Sequence, residues 1–402
     1  MKWEVRSTKC EHQSPWSLVI RHWTFLLLPW TFLTSCLNVH AAPIDEPTAI
    51  VHEVTVRHGD ERHALRGRIV VEAQDGGLIL EDSAGRYHQL MPDEIEERSA
   101  TSAEFQYLSG DAQAQDLQSF AGTGFSAQTT DHYLLVSNSS ELYSEVCGRL
   151  LERVHEEFYE FFADRGLQLQ PLSQRLPVVI FSDSTEFMEF AHRQHPETQF
   201  QDTPGYYTVR DNQIMILDLV RDDSVRTASA MRRRMGALPR QVSTIVHEAV
   251  HQLAFNSGLQ IRFADNPVWF SEGLALHFEP VSSSSSVLWS RPGQKNDLHL
   301  QNLQQQTASG RLQLPLAELL SDDSVFTNPE TVAAAYAESW ALFSYLEKRH
   351  TDELTAFARM LMARQPLLRV TAEERQEEFR RIMQKSTDEI ETQLVPYVRR
   401  MR

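Results

Sequence analysis

The sequence predicts an α+β fold in which a small all-β module precedes a larger mixed body, and three observations carry that prediction. Between residues 48 and 97, the runs 51–57, 67–72, 77–82 and 86–91 read as strands, with Asp75-Gly76-Gly77 as a hairpin signal. From 129 to 240, strand-like and helix-like runs alternate. From 241 to 402, apolar residues recur at helical spacing. A chain of 402 residues is long enough for two or three such units with a substantial core. Its net charge of −17 disfavours nucleic acid and anionic membrane surfaces as partners. The local cluster Arg232-Arg233-Arg234 reads as solvated helix.

Residues 1–42 read as an export leader. Lys2, Arg6, Lys9 and Arg21 precede the apolar run 23–33, which is short for a membrane span. Val39-His40-Ala41 resembles a signal-peptidase site that would release a soluble protein near Ala42. Leu33-Thr34-Ser35-Cys36 fits a lipoprotein box in which Cys36 would be lipidated, and an uncleaved anchor is the third ending. Each ending puts the protein outside the cytoplasm, extracellular or periplasmic, and no later apolar stretch is long enough to span a membrane. Cys10 and Cys36 belong to the leader, so Cys147 stands alone in the body, where it reads as a buried apolar residue on an amphipathic helix. No intramolecular disulfide is then expected, and no cysteine cluster competes for metal.

The β unit holds no titratable constellation and reads as a binding or spacer module, such as a small open barrel, whose partner the residues do not name. Residues 98–128 are rich in Ser, Ala, Gln, Gly and Asp and read as a linker. The body opens near 129 with a strand at 132–136, an amphipathic helix at 140–165 ending on Gly166, and a buried strand at 177–181. Asp183 with Glu186 resembles a capping box. The runs 205–210 and 213–217 form a hairpin around Asp211-Asn212.

The second half of the body carries the chemistry. His247-Glu248-Ala249-Val250-His251 lies on an apolar stripe of helical spacing closed by Asn256-Ser257-Gly258. Histidines four apart on a helix project together and can hold one zinc ion, with Glu248 beside them to take a proton from its water. A second helical run begins after Asn266-Pro267 and stops at Pro280. It brings Glu272 back after twenty intervening residues, well placed as third ligand with the fourth position left to water. Glu279 shares the face of Glu272 and is a rival ligand, although a carboxylate beside Pro280 reads as solvated. His277 reads as a surface histidine or a substrate contact. Tyr336, on the run 332–346, reads either as a core aromatic or as a cleft residue. The serine run 282–286 and Gln304–Gln306 read as a polar surface loop. Thr371 with Glu374 and Ser386 with Glu389 open the last two helices as capping boxes.

The pentapeptide, followed by Glu272-Gly273-Leu274-Ala275, resembles the gluzincin metallopeptidases, the thermolysin-like class of the peptidase-MA type. The phrases 246–253, 267–275 and 335–342 are similar to an uncharacterised, mostly secreted bacterial domain family, and the likeness covers roughly residues 130–350. Glu272 lies slightly farther from His251 than in thermolysin-like enzymes. The resemblance implies a zincin-like catalytic domain over 129–402, in which the 205–217 hairpin supplies the edge strand where an extended peptide adds. It implies His247, His251 and Glu272 as Zn2+ ligands, Glu248 as general base and Tyr336 as donor to the oxyanion. The expected activity is hydrolysis of a peptide or protein substrate. The alternatives are a non-catalytic binding protein with a structural zinc site and a zinc hydrolase acting on another substrate.

Overall fold

The computed structural model describes residues 50–401 apart from 59–60, 197–202, 223, 282–286, 290 and 308–309. The expected leader with Cys10 and Cys36, and the serine run, lie outside the described residues. Strands β1 (Ile50–His58), β2 (Glu61–Glu72), β3 (Leu78–Asp82), β4 (Tyr87–Leu90) and β5 (Ile95–Glu104) form an antiparallel sheet in the order β4-β3-β2-β1-β5. Alternate residues point to one face, where Val54, Val56, Ile69, Leu78, Leu80 and Leu90 make a core of their own.

The expected linker is regular structure instead. Residues 98–128 hold the rest of β5, helix α1 (Gly110–Ala121) and strand β6 (Ser126–Thr129). Their composition is polar because few of them are apolar anchors: Leu117, Ala121 and Phe125 are the buried apolar ones, packed on a second sheet. That sheet runs β6-β7-β8-β10-β9, with β7 (Tyr133–Ser137), β8 (Leu176–Phe181), β9 (Gly205–Thr208) and β10 (Gln213–Leu217). Strands β7, β8 and β10 are mutually parallel, and the edges β6 and β9 are antiparallel.

Both faces of this sheet are covered, as its near-continuous apolar strands require. Leu135, Val178, Ile180, Ile214 and Ile216 face the large core shared with α2 (Glu141–Ala163). Leu134, Val136, Val179, Phe181 and Met215 face α1 and α3 (Ser184–Gln194). Asp183 caps α3 by accepting from the Thr185 and Glu186 amides, but Glu186 bonds Asn138 instead of closing the expected box. Cys147 is buried on α2, as expected.

After α4 (Ala228–Gly236), helix α5 (Pro239–Asn256) crosses the sheet. Two glutamines fix it there: Gln241 donates to the Leu217 carbonyl, and Gln252 donates to the carbonyls of Pro177 and Asn212. Helix α6 (Val268–Phe278) is buried on every side, as apolar residues spread around its whole circumference require. A 3-10 turn (Asp323–Phe326) and α9 (Val332–Arg349) pack on it, with α7 (Asp297–Gln306) against α9 and α8 (Leu316–Ser321) against the 3-10 turn. Helices α10 (Thr351–Met362), α11 (Ala372–Met383) and α12 (Thr387–Arg400) follow, the last two opened by the expected capping boxes. Gln304–Gln306 belong to α7 rather than a loop; the Asn296 side chain caps that helix.

Gly273 sets the contact between α6 and α9. A Cβ there would lie 2.7 Å from the Ser339 carbonyl oxygen and 3.0 Å from the Phe343 Cβ. Gly273→Ala is therefore expected to destabilise the fold by about 1–3 kcal/mol, the usual penalty for overpacking, as a lowered urea midpoint with unchanged slope.

The β module docks on the body. The Tyr87 amide donates to the Arg210 carbonyl at 2.7 Å, and Arg262 lies over the Tyr87 ring. Arg262 is bonded to Asn212 Oδ1 at 2.7 Å, so the module braces the turn between β9 and β10.

Candidate metal centre

Helix geometry brings His247 and His251 together, with their Nε2 atoms 2.9 Å apart. Helix α6 returns Glu272 to the same point, where one ligand atom from each of the three lies within 4.8 Å of the others. All three are buried, Glu272 completely. Its Oε2 pairs with His247 Nε2 at 3.3 Å, while among the described residues its Oε1 has no hydrogen-bond partner. A buried carboxylate with one oxygen left unbonded is costly, and a cation is a group that removes the cost. Two imidazole nitrogens and a carboxylate oxygen form the donor set of a three-ligand zinc site. The residues fit the ion.

Glu248 is not one of the three gathered groups. Its Oε2 accepts the backbone N–H of Tyr207 on β9 at 2.8 Å, which ties it to the sheet edge and leaves Oε1 for other partners. Burial drives its carboxyl up to about 8 against the opposing charge of His247. Glu272 is likewise pushed up by burial. Burial acts to lower His247, but its contacts with Glu272 and Glu279 outweigh that and raise it to about 10. His251 is held well below the ordinary range by burial and then by His247.

Glu279 is neither solvated nor gathered with the three ligands. It is buried, its Oε1 lies 2.9 Å from His247 Nδ1, and its Oε2 accepts from Asn296 Nδ2. A carboxylate on Nδ1 fixes the tautomer and turns Nε2 toward the ligand cluster. The seven-residue spacing from Glu272 signalled a shared face, but Pro280 suggested solvent. The residues after Pro280 fold back over that helix end: the Gly293 amide donates to the His277 carbonyl, and Asn296 meets Glu279. Glu279→Gln is expected to weaken metal binding by about 10–100-fold, read by competition with a chromophoric chelator.

His277 is neither a surface residue nor near the ligands by any contact described. It is buried, with Nδ1 3.2 Å from the Ser344 hydroxyl and its ring on Phe343 and Phe161. Burial lowers it to about 4, so it is a neutral core histidine. Tyr336 is also buried, with its ring edge-on to Phe326.

The centre lies within a stretch with relatives. The profile of a family described as a protein of unknown function (DUF1570) matches residues 241–368, so the chain is similar to that family from the start of α5 to just beyond α10. The comparison with curated proteins returned no match.

Proposed function

We propose that this chain is an exported zinc-dependent metallopeptidase of the gluzincin kind. One observation carries the reading: Glu272, fully buried with its Oε1 unbonded among the described residues, is gathered with two imidazoles, and Glu248, next to His247 on the same helix, keeps Oε1 out of its bond to Tyr207. His247, His251 and Glu272 would hold the ion, with Glu279 orienting His247. Zinc supplies Lewis acidity, polarising a carbonyl and lowering the pKa of water. Glu248 Oε1 takes the water proton and returns it to the leaving nitrogen. An extended substrate would lie along β9, the edge strand that anchors Glu248. Tyr336 serves in this reading as donor to the oxyanion. The leader of residues 1–42 supports export. Among the described residues, no helix is long and apolar enough to cross a membrane.

The burial of all three ligands favours a second reading, a structural zinc that only joins α5 to α6. Incubating the full chain with mixed peptides, with and without chelator, tests the choice. Chelator-sensitive cleavage supports the peptidase; intact peptides with zinc bound support the structural ion.

A further inference from the structure

A second group of metal-ligating side chains lies outside the His247 centre. His132 sits in the turn between β6 and β7, and Glu152 and His155 lie three apart on α2, hence on one face. One ligand atom from each lies within 4.8 Å of the others. Glu152 Oε1 accepts the backbone N–H of His132 at 2.8 Å, while Oε2 is 2.7 Å from His132 Nδ1. The His132 and His155 rings stack with centroids 3.7 Å apart, and Tyr159 packs on the other ring contact of His155 at 4.6 Å. Backbone and side-chain contacts thus gather all three groups before any ion arrives.

We propose that His132, Glu152 and His155 form a second divalent-metal site, taking a first-row transition ion such as Zn2+ and fastening the β6–β7 turn to α2. Two imidazoles and one carboxylate suit such an ion, and water completes its coordination. The stacked rings do not converge on one point, so binding turns the His132 ring and exchanges its bond to Oε2 for the ion. Side-chain exposures of 40% for His132 and 25% for Glu152 leave room for that rotation and for water. The proposal is independent of the peptidase reading.

Full-length protein stripped with a chelator and titrated with Zn2+ against a chromophoric competitor tests it. Wild type is expected to take two submicromolar equivalents. His155→Ala and Glu152→Gln should each remove one, His251→Ala should remove the other, and His155→Ala with His251→Ala should remove both. Melting curves in chelator establish that the variants fold; His132→Ala, in a turn, serves if an α2 variant does not. Stoichiometry unchanged by His155→Ala, Glu152→Gln and His132→Ala overturns the proposal, as does a single wild-type equivalent lost in His251→Ala. One equivalent sensitive to His155→Ala but not to His251→Ala upholds this site and sinks the α5–α6 centre instead.

Discussion

Glu248→Gln is expected to keep its zinc at the α5–α6 centre and lose peptide turnover by about 10²–10⁴-fold, the usual contribution of a positioned general base. The amide is nearly isosteric, and its oxygen can still accept the Tyr207 N–H that ties the side chain to β9. The edge strand therefore keeps its place, and the change is confined to proton transfer. Metal content measured alongside initial rates separates the outcomes. Equal turnover in the two proteins would sink the peptidase reading. Loss of zinc would instead show that Glu248 binds the ion, against the contacts seen for His247, His251 and Glu272.

His251→Ala should cause the largest change in metal binding and in zinc-dependent stability. It removes one of the three groups that converge on the ion, so affinity is expected to fall further than the 10–100-fold loss typical of an outer partner. An ion that binds only the folded chain stabilises it by about 4 kcal/mol when free ligand is a thousand times the dissociation constant. Wild type should therefore melt lower in chelator than in zinc, and His251→Ala should lose most of that difference. The burial of Glu272 makes the sign clear: without an ion its Oε1 sits in a dry interior with no hydrogen-bond partner among the described residues. A melting curve of the wild type that zinc and chelator leave unchanged would refute a bound ion.

Much of the fold was legible because local signals and tertiary packing agree. The hairpin expected at 205–217, both C-terminal capping boxes and helices α5 and α6 all formed near their expected positions. The region 98–128 misled because its polar residues outnumber the three that anchor it, and α1 needs a sheet face to rest on. Gln304–Gln306 misled for a similar reason, since α7 is capped by Asn296 and packs among other helices. At the centre, spacing anticipated the gathering of His247, His251 and Glu272. It misjudged Glu279 and His277, whose surroundings come from segments that fold back from farther along the chain.

By itself the sequence determined the secondary structure of α5 and α6 and the face on which the two histidines meet. Those follow from helical periodicity and local capping, which need only neighbouring residues. Only the tertiary structure decided that Glu248 bonds the edge strand, that Glu279 orients His247, and that the β module braces the turn beside them. Such contacts join residues far apart in the chain, and burial sets their strength. No local pattern encodes how deeply a side chain will be buried or which distant donor will reach it.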